Sequence, residues 1–139
     1  YIDNAPEVSL DSETFEKQIS VMGIAPSPQI GMVIPFLQMG KPENSYWTYD
    51  EERAIVRELR RVCHNRDQIK VLQNGMYDYY YMWQNWGFGP VNTEDTMLIA
   101  HAMWPEMRKG LADLASLHTN EAPWKMMRAK NQDQIKRDE

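Results

Sequence analysis

Residues 23–46 contain four prolines (Pro26, Pro28, Pro35, Pro42) and three glycines (Gly23, Gly31, Gly40). An α-helix does not survive that density, because each interior proline removes a backbone donor and clashes with the turn before it. A central strand is equally disfavoured, since proline leaves a gap in the hydrogen-bond ladder. Yet the stretch also carries Ile30, Met32, Val33, Ile34, Phe36, Leu37 and Met39, which is too apolar for a solvated linker. The expectation is an extended arm, closing an N-terminal segment of residues 1–45, laid against an apolar surface of its own domain or of a partner.

The rest of the pattern reads as helical. In "LDSETFEKQISVMG", Asp11 can N-cap, Leu10 and Phe15 can form a hydrophobic staple, and Phe15, Ile19 and Met22 share a face before Gly23. Thr48 with Glu51 three residues later predicts a capping box. Asp50, Glu51 and Glu52 fill the first turn, Arg60 and Arg61 the last, and Ile55, Val56, Leu59 and Val62 form the apolar stripe. A further helix is expected from about Arg66 to Gln84, with Ile69, Leu72, Met76, Tyr80 and Trp83 on one face. Gly75 weakens its middle by about 1 kcal/mol relative to alanine, and "GFGP" at 87–90 ends it. Asn92, Glu94 and Asp95 suit the start of another helix. Pro105 breaks that one and opens the next, in which Met107, Leu111, Leu114 and Leu117 align. No β-alternation stands out. The fold class expected is all-α, about five short helices with a Pro-rich extended N-terminal arm, divided into residues 1–45, a helical domain at 46–128 and a charged tail at 129–139. The tail from Ala122 reads as a charged helix or a frayed end. The most apolar run, residues 29–40, is broken by Pro35 and falls short of the roughly 20 residues that cross a membrane. The chain opens on Tyr1 rather than Met, compatible with a trimmed precursor.

The residues that carry chemistry are sparse. A single cysteine, Cys63, allows no internal disulfide and points to a reducing compartment. One cysteine and three scattered histidines draw no metal framework. His64 beside Cys63 points in a different direction on a helix, and His101 has no glutamate three residues before it, as a diiron bundle needs. There is no G-x-S-x-G and no phosphate loop. The expectation is no catalytic, metal or cofactor site.

The densest feature is "MYDYYYMWQNWGFGP", residues 76–90, with seven aromatics. Single-strand nucleic-acid binders combine aromatics with lysine and arginine. Here the net charge is −5, and no Lys or Arg occurs between Val71 and Met107, which argues against a nucleic-acid partner. Tyr, Trp and Met are enriched at interface cores. A helix showing aromatics on several faces therefore suggests a subunit of a larger assembly. If Met76, Tyr80 and Trp83 face its own core, Tyr79, Tyr81 and Trp86 remain for a partner, together with Val33, Ile34, Phe36 and Leu37 of the arm. Two other classes stay open: a small helical enzyme or ligand carrier with a pocket lined by Tyr79, Trp83, Trp86 and Trp104, and an adaptor in another assembly.

"YDEERAIVRELRRV", residues 49–62, then Arg66 and Ile69-Lys70, Pro90, Glu94-Asp95, "MWPEM" and Trp124 stand in an order that resembles the small helical ubiquinol–cytochrome c reductase binding protein of respiratory complex III, over about residues 46–128. The Leu-Pro that follows the arginine pair in that family is replaced by Val62-Cys63, and its Lys-His before the proline turn is absent. The resemblance implies a non-catalytic accessory subunit with structural and assembly roles. It also implies protein subunits as partners, no cofactor, and a peripheral position on the matrix side of the mitochondrial inner membrane.

Overall fold

The computed structural model describes residues 1–120, and the chain divides into two compact units, Tyr1–Thr96 and the part from Met97 onward. The first is not helical throughout but mixed α/β. After a single 3-10 turn at Ile2–Asn4 come strands β1 (Glu7–Phe15), β2 (Gln18–Ser27), β3 (Ile30–Pro35), β4 (Leu37–Gln38) and β5 (Lys41–Ser45). Helix α1 (Tyr49–His64), β6 (Ile69–Leu72), α2 (Gly75–Trp86), β7 (Thr93–Asp95) and α3 (Thr96–Met103) follow, then α4 (Leu111–His118). One five-stranded sheet has the order β3-β2-β1-β6-β7, and β4 pairs with β5 separately. β3, β2 and β1 are antiparallel, while β6 runs parallel to both β1 and β7. The sheet thus takes strands from both sides of residue 45. The parallel pairings are made across α1 and α2, because parallel neighbours need a crossover rather than a hairpin.

The segment expected as a first helix is the β1–β2 hairpin. Val8, Leu10 and Ser12 are buried, alternating with exposed Ser9, Asp11 and Glu13, the period-2 pattern of a strand with one face on the core. The turn is what hid it. Glu16 and Lys17 both sit at positive φ, 47° and 69°, as a type I′ turn requires, and that turn is ordinarily signalled by Asn-Gly. The arm proves to be strand as well, and its prolines occupy the tolerated places. The β2–β3 register slips between Ile24 and Ser27, around Pro26, and Pro35 ends the edge strand β3.

Helix α1 forms where the Thr48–Glu51 spacing placed it. The Glu51 carboxylate accepts the Thr48 N–H at 3.0 Å and its hydroxyl at 2.7 Å, and the Thr48 hydroxyl contact holds that carboxyl below its ordinary range. At the other end Arg61 pairs with Asp3 and Glu58, both at 2.8 Å. Leu59, Val62 and Cys63 are buried.

The single long helix expected over 66–84 is instead strand β6 followed by α2. In "IKVL" the lysine reads as the solvent side, yet Lys70 is fully buried with Leu72, while Ile69 and Val71 are only half covered. Its ammonium donates to the carbonyls of Asn65 and, at 2.8 Å, Gln68. Val8, Leu10, Ile19, Met22, Ile24, Phe36, Leu59, Cys63, Leu72, Met82 and Phe88 make the core. Gly75 is not a weak mid-helix residue but the first of α2, where an added Cβ would stand 2.6 Å from Leu72 Cδ1.

In the second unit α4 starts at Leu111, with Gly110 as N-cap, rather than at Pro105. The Lys109 ammonium donates to the carbonyls of Pro105 and Met107 and gathers the loop between them. Leu114 is buried, whereas Leu111 and Leu117 are half exposed. Trp124 and the charged tail lie outside the described residues. Among those described, no helix is long and apolar enough to cross a membrane.

Candidate functional site

Strand β1 places Asp11 and Glu13 on its outward face, two residues apart and both exposed. Ser12 between them points inward and meets α2. The Asp78 carboxylate accepts the Ser12 N–H at 2.7 Å and the Ser12 hydroxyl at 2.6 Å through one oxygen, Oδ1. Asp78 is 3% exposed. Burial pushes its carboxyl above the ordinary range, the Ser12 bonds pull it back, and the charge of Asp11 pushes it further up. Asp11 and Asp78 are therefore near neighbours of like charge. Gly23 pairs with Asp11 across the hairpin. A Cβ there would stand in ordinary contact with Asp11 Cβ, at 3.9 Å.

Helix α2 is fastened along the hairpin. The Tyr77 hydroxyl bonds Thr14 Oγ1. Asn85 accepts the Ile19 N–H at 3.3 Å and donates to the Lys17 carbonyl at 3.3 Å. The helix N-terminus is held by Asp95, whose two carboxylate oxygens accept the N–H groups of Asn74 (3.1 Å) and Gly75 (2.7 Å). A carboxylate suits that end of a helix dipole. Asp95 was expected to serve this role at the start of its own helix; it ends β7 and serves α2 instead. The inward face of α2 is Gly75, Asp78 and Met82, not the stripe Met76, Tyr80 and Trp83, which are 74%, 59% and 58% exposed. The hydrogen-bonded acid turned the helix away from its aromatic stripe.

These carboxylates have the donor chemistry of a hard divalent cation, which takes oxygen ligands. Among the described residues, however, no group of three or more His, Cys, Asp or Glu is gathered closely enough to hold a metal ion. Asp11 and Glu13 stand on the outward face of β1 while Asp78 is turned to Ser12, so the three acids share a neighbourhood without forming a ready-made shell.

The residues singled out for a partner scatter over the first unit. Phe36 is buried and packs on Trp86 at a ring distance of 5.0 Å, and Trp86 stacks on Phe88 at 5.9 Å. Tyr81 and Ile34 pack partly buried against the core. Leu37 is half covered, Val33 is exposed, and Tyr79 lies against Trp83 with nearly parallel rings. Trp104, the fourth aromatic of the carrier pocket, belongs to the second unit and stacks on His118.

Residues 2–138 match the family model described as 3'-5' exonuclease. This chain belongs to that family. Its fold is shared with Brucella melitensis NrnC with bound Mg2+ (TM-score 0.63, 17% identity, 83% of this chain and 54% of that one) and with NrnC bound to pGG (0.65, 16%, 87% and 59%). Escherichia coli RNase D, an exoribonuclease involved in structured RNA processing, matches as well (0.61, 16%, 86% and 29%). The chain thus spans little more than half the length of the NrnC chains. No curated protein sequence matches it.

Family membership overturns the likeness to a complex III subunit, the non-catalytic role it implied and the exclusion of nucleic acid. The exclusion failed on physical grounds. Net charge sums the whole chain and says nothing of where the charges sit. Asp11 was read as a helix cap, Glu13 was given no role within that helix, and Asp78 was passed over among the tyrosines. The signal that could have found the first two is the alternation Val8-Ser9-Leu10 carried on through Asp11-Ser12-Glu13.

Proposed function

We propose that this chain carries a 3'-5' exonuclease centre built on Asp11, Glu13 and Asp78, which releases nucleotides by hydrolysis of a terminal phosphodiester. The observation that carries it is the buried Asp78 bonded to Ser12, the residue between the exposed acids Asp11 and Glu13 in β1, with the charge of Asp11 acting on Asp78. Perturbed carboxyls beside like charges mark reaction centres more often than packing does. The family model and the pGG-bound and Mg2+-bound relatives support the choice of nucleic acid and of a divalent cation.

Electrostatics makes the cation necessary. Asp11 and Glu13 on the outward face of β1 repel an approaching phosphodiester, and the buried Asp78 behind Ser12 adds to that field. Asp11 and Glu13, two residues apart on the open face of β1, would be the first oxygen ligands of a divalent cation, which when bound supplies Lewis-acid polarisation of the phosphoryl oxygens and an activated water. Ser12 orients Asp78 by occupying one oxygen, Oδ1. Asp95 positions the helix that carries it.

The test is a 5'-labelled single-stranded oligonucleotide incubated with the purified chain and magnesium or manganese. A ladder shortening from the 3' end, lost on chelation and in Asp11→Asn, is expected. Intact oligonucleotide under every cation, or an undiminished ladder from Asp11→Asn, overturns the assignment.

A further inference from the structure

A second feature of the first unit lies away from the acids. Arg53, Arg57 and Arg60 stand at i, i+4 and i+7 on α1 and are all exposed. They line a cleft of about 550 Å³ with Tyr49, Trp86 and Phe88. Among the described residues these three arginines enter no ion pair, whereas their neighbour Arg61 is matched to Asp3 and Glu58. Arg53 instead lies over the Tyr49 ring at 5.4 Å. The single carboxylate lining the cleft, Glu52, accepts the Ser45 hydroxyl. Three unmatched guanidiniums over roughly 10 Å of helix, on a chain whose net charge is −5, make a local field opposite to that of the whole molecule. Beside them in the lining Tyr49 is exposed, and Trp86, backed by Phe36 and Phe88, is part-exposed.

We propose that this cleft binds the non-reacting part of a single-stranded nucleic acid, with Arg53, Arg57 and Arg60 on its phosphates and Tyr49 and Trp86 as stacking surfaces for its bases. Guanidinium groups pair with phosphate oxygens in a fixed fork, and aromatic rings beside them accept bases of any sequence. An acidic polypeptide would satisfy the charges but not use the rings. The proposal rests on the exonuclease reading for its choice of polyanion, and it places the strand's grip apart from its cleavage. Trp86 stands eight positions beyond Asp78 on α2, about 12 Å along the axis, so a strand of several nucleotides is needed to engage both.

Binding of a fluorescent single-stranded 12-mer RNA to the full chain, by anisotropy with a chelator present, separates grip from cleavage. Arg53→Gln/Arg57→Gln/Arg60→Gln is expected to bind about ten-fold or more weakly at low salt. Its salt dependence should be shallower by about 2 in log K against log salt, at roughly 0.7 per phosphate contact. Arg61→Gln should bind as the parent does, and the thermal midpoint of the triple variant should match the parent's. If the triple variant does not fold, Arg57→Gln alone should flatten the slope by about 0.7. A parent chain that fails to bind the 12-mer, or arginine variants that bind it with unchanged slope, overturn the groove. A chain that binds through these arginines yet never shortens the strand in magnesium or manganese leaves the groove standing and sinks the exonuclease reading. The reverse pattern, shortening with no dependence of binding on the arginines, does the opposite.

Discussion

Asp78 and Lys70 are the two charged side chains that are buried among the described residues, at 3% and 0% exposure, and they do different work. Lys70 is enclosed. Its ammonium is spent on the carbonyls of Asn65 and Gln68, and its neighbour is the thiol of Cys63. Burial lowers the lysine and pushes the Cys63 thiol up to about 12, so the thiol stays protonated near neutral pH. Asp78 has one oxygen fixed by Ser12, lies beside a second carboxylate, and adjoins a strand face open to solvent. Burial alone does not mark a site. Burial together with a like charge that nothing inside the protein neutralises does.

The difference can be broken from either side. The largest effect is expected on activity: Asp78→Asn and Asp11→Asn should each cut hydrolysis by about 10²-fold or more, read as initial rates of 3' shortening. Neither should lower the denaturation midpoint, because each removes one of two repelling charges, and the amide oxygen introduced by Asp78→Asn is still an acceptor for Ser12. Lys70→Met should behave in the opposite way. It leaves two buried carbonyls short of a donor and should cost about 1–3 kcal/mol in denaturant unfolding, with oligonucleotide affinity unaltered in the folded fraction. Gly75→Ala sharpens the picture of what seats Asp78. The new methyl collides with Leu72 and should cost about 1–3 kcal/mol while also lowering activity, whereas the same change at an open helix position would stabilise.

A pH series reads the two groups directly. The folded Asp78 carboxyl lies above its ordinary value, so the folded state holds its proton over a window where the unfolded chain has lost it. Its contribution to stability is thus full below the ordinary aspartate range and is lost as pH rises through the raised value. Asp78→Asn should remove that acid-side advantage, and the parent's activity should climb over the same window as the carboxylate forms. Lys70 is shifted downward, so the cost of its buried charge fades as pH rises through its lowered value. The smallest effect is expected at the hairpin. Glu16→Asn with Lys17→Gly gives both positive-φ positions residues that accept them and should gain about 1 kcal/mol, measured by thermal unfolding, without touching catalysis.

What could be read in advance depended on whether the deciding interactions were local. α1 was legible because its start, its stripe and its last turn all lie within seventeen residues and need no partner. The turn at Gly87, in the left-handed region at φ 72°, was legible for the same reason. β6 was not, since its only charged residue is the one that points inward, where the carbonyls of Asn65 and Gln68 take its ammonium only once the loop before the strand has folded. Nor was β1, whose hairpin turn uses Glu16-Lys17. Of the candidate site, Asp11 and Glu13 stood in plain view as an acid pair, but two residues of separation means one face on a strand and different faces on a helix. Their meaning waited on the secondary structure.

By itself, the sequence determined the capped helix over 49–64, the stop at Gly87, the absence of a disulfide and the local acid and arginine spacings. These follow from short-range sterics, helix-end electrostatics and counting. The tertiary structure decided that the proline-rich arm is sheet, that Lys70 and Asp78 are both buried, and that Asp78 comes to Ser12 across 66 residues of chain. The physical reason is that burial and like-charge proximity are properties of two segments brought together. No pattern within either segment alone encodes the free energy of their meeting.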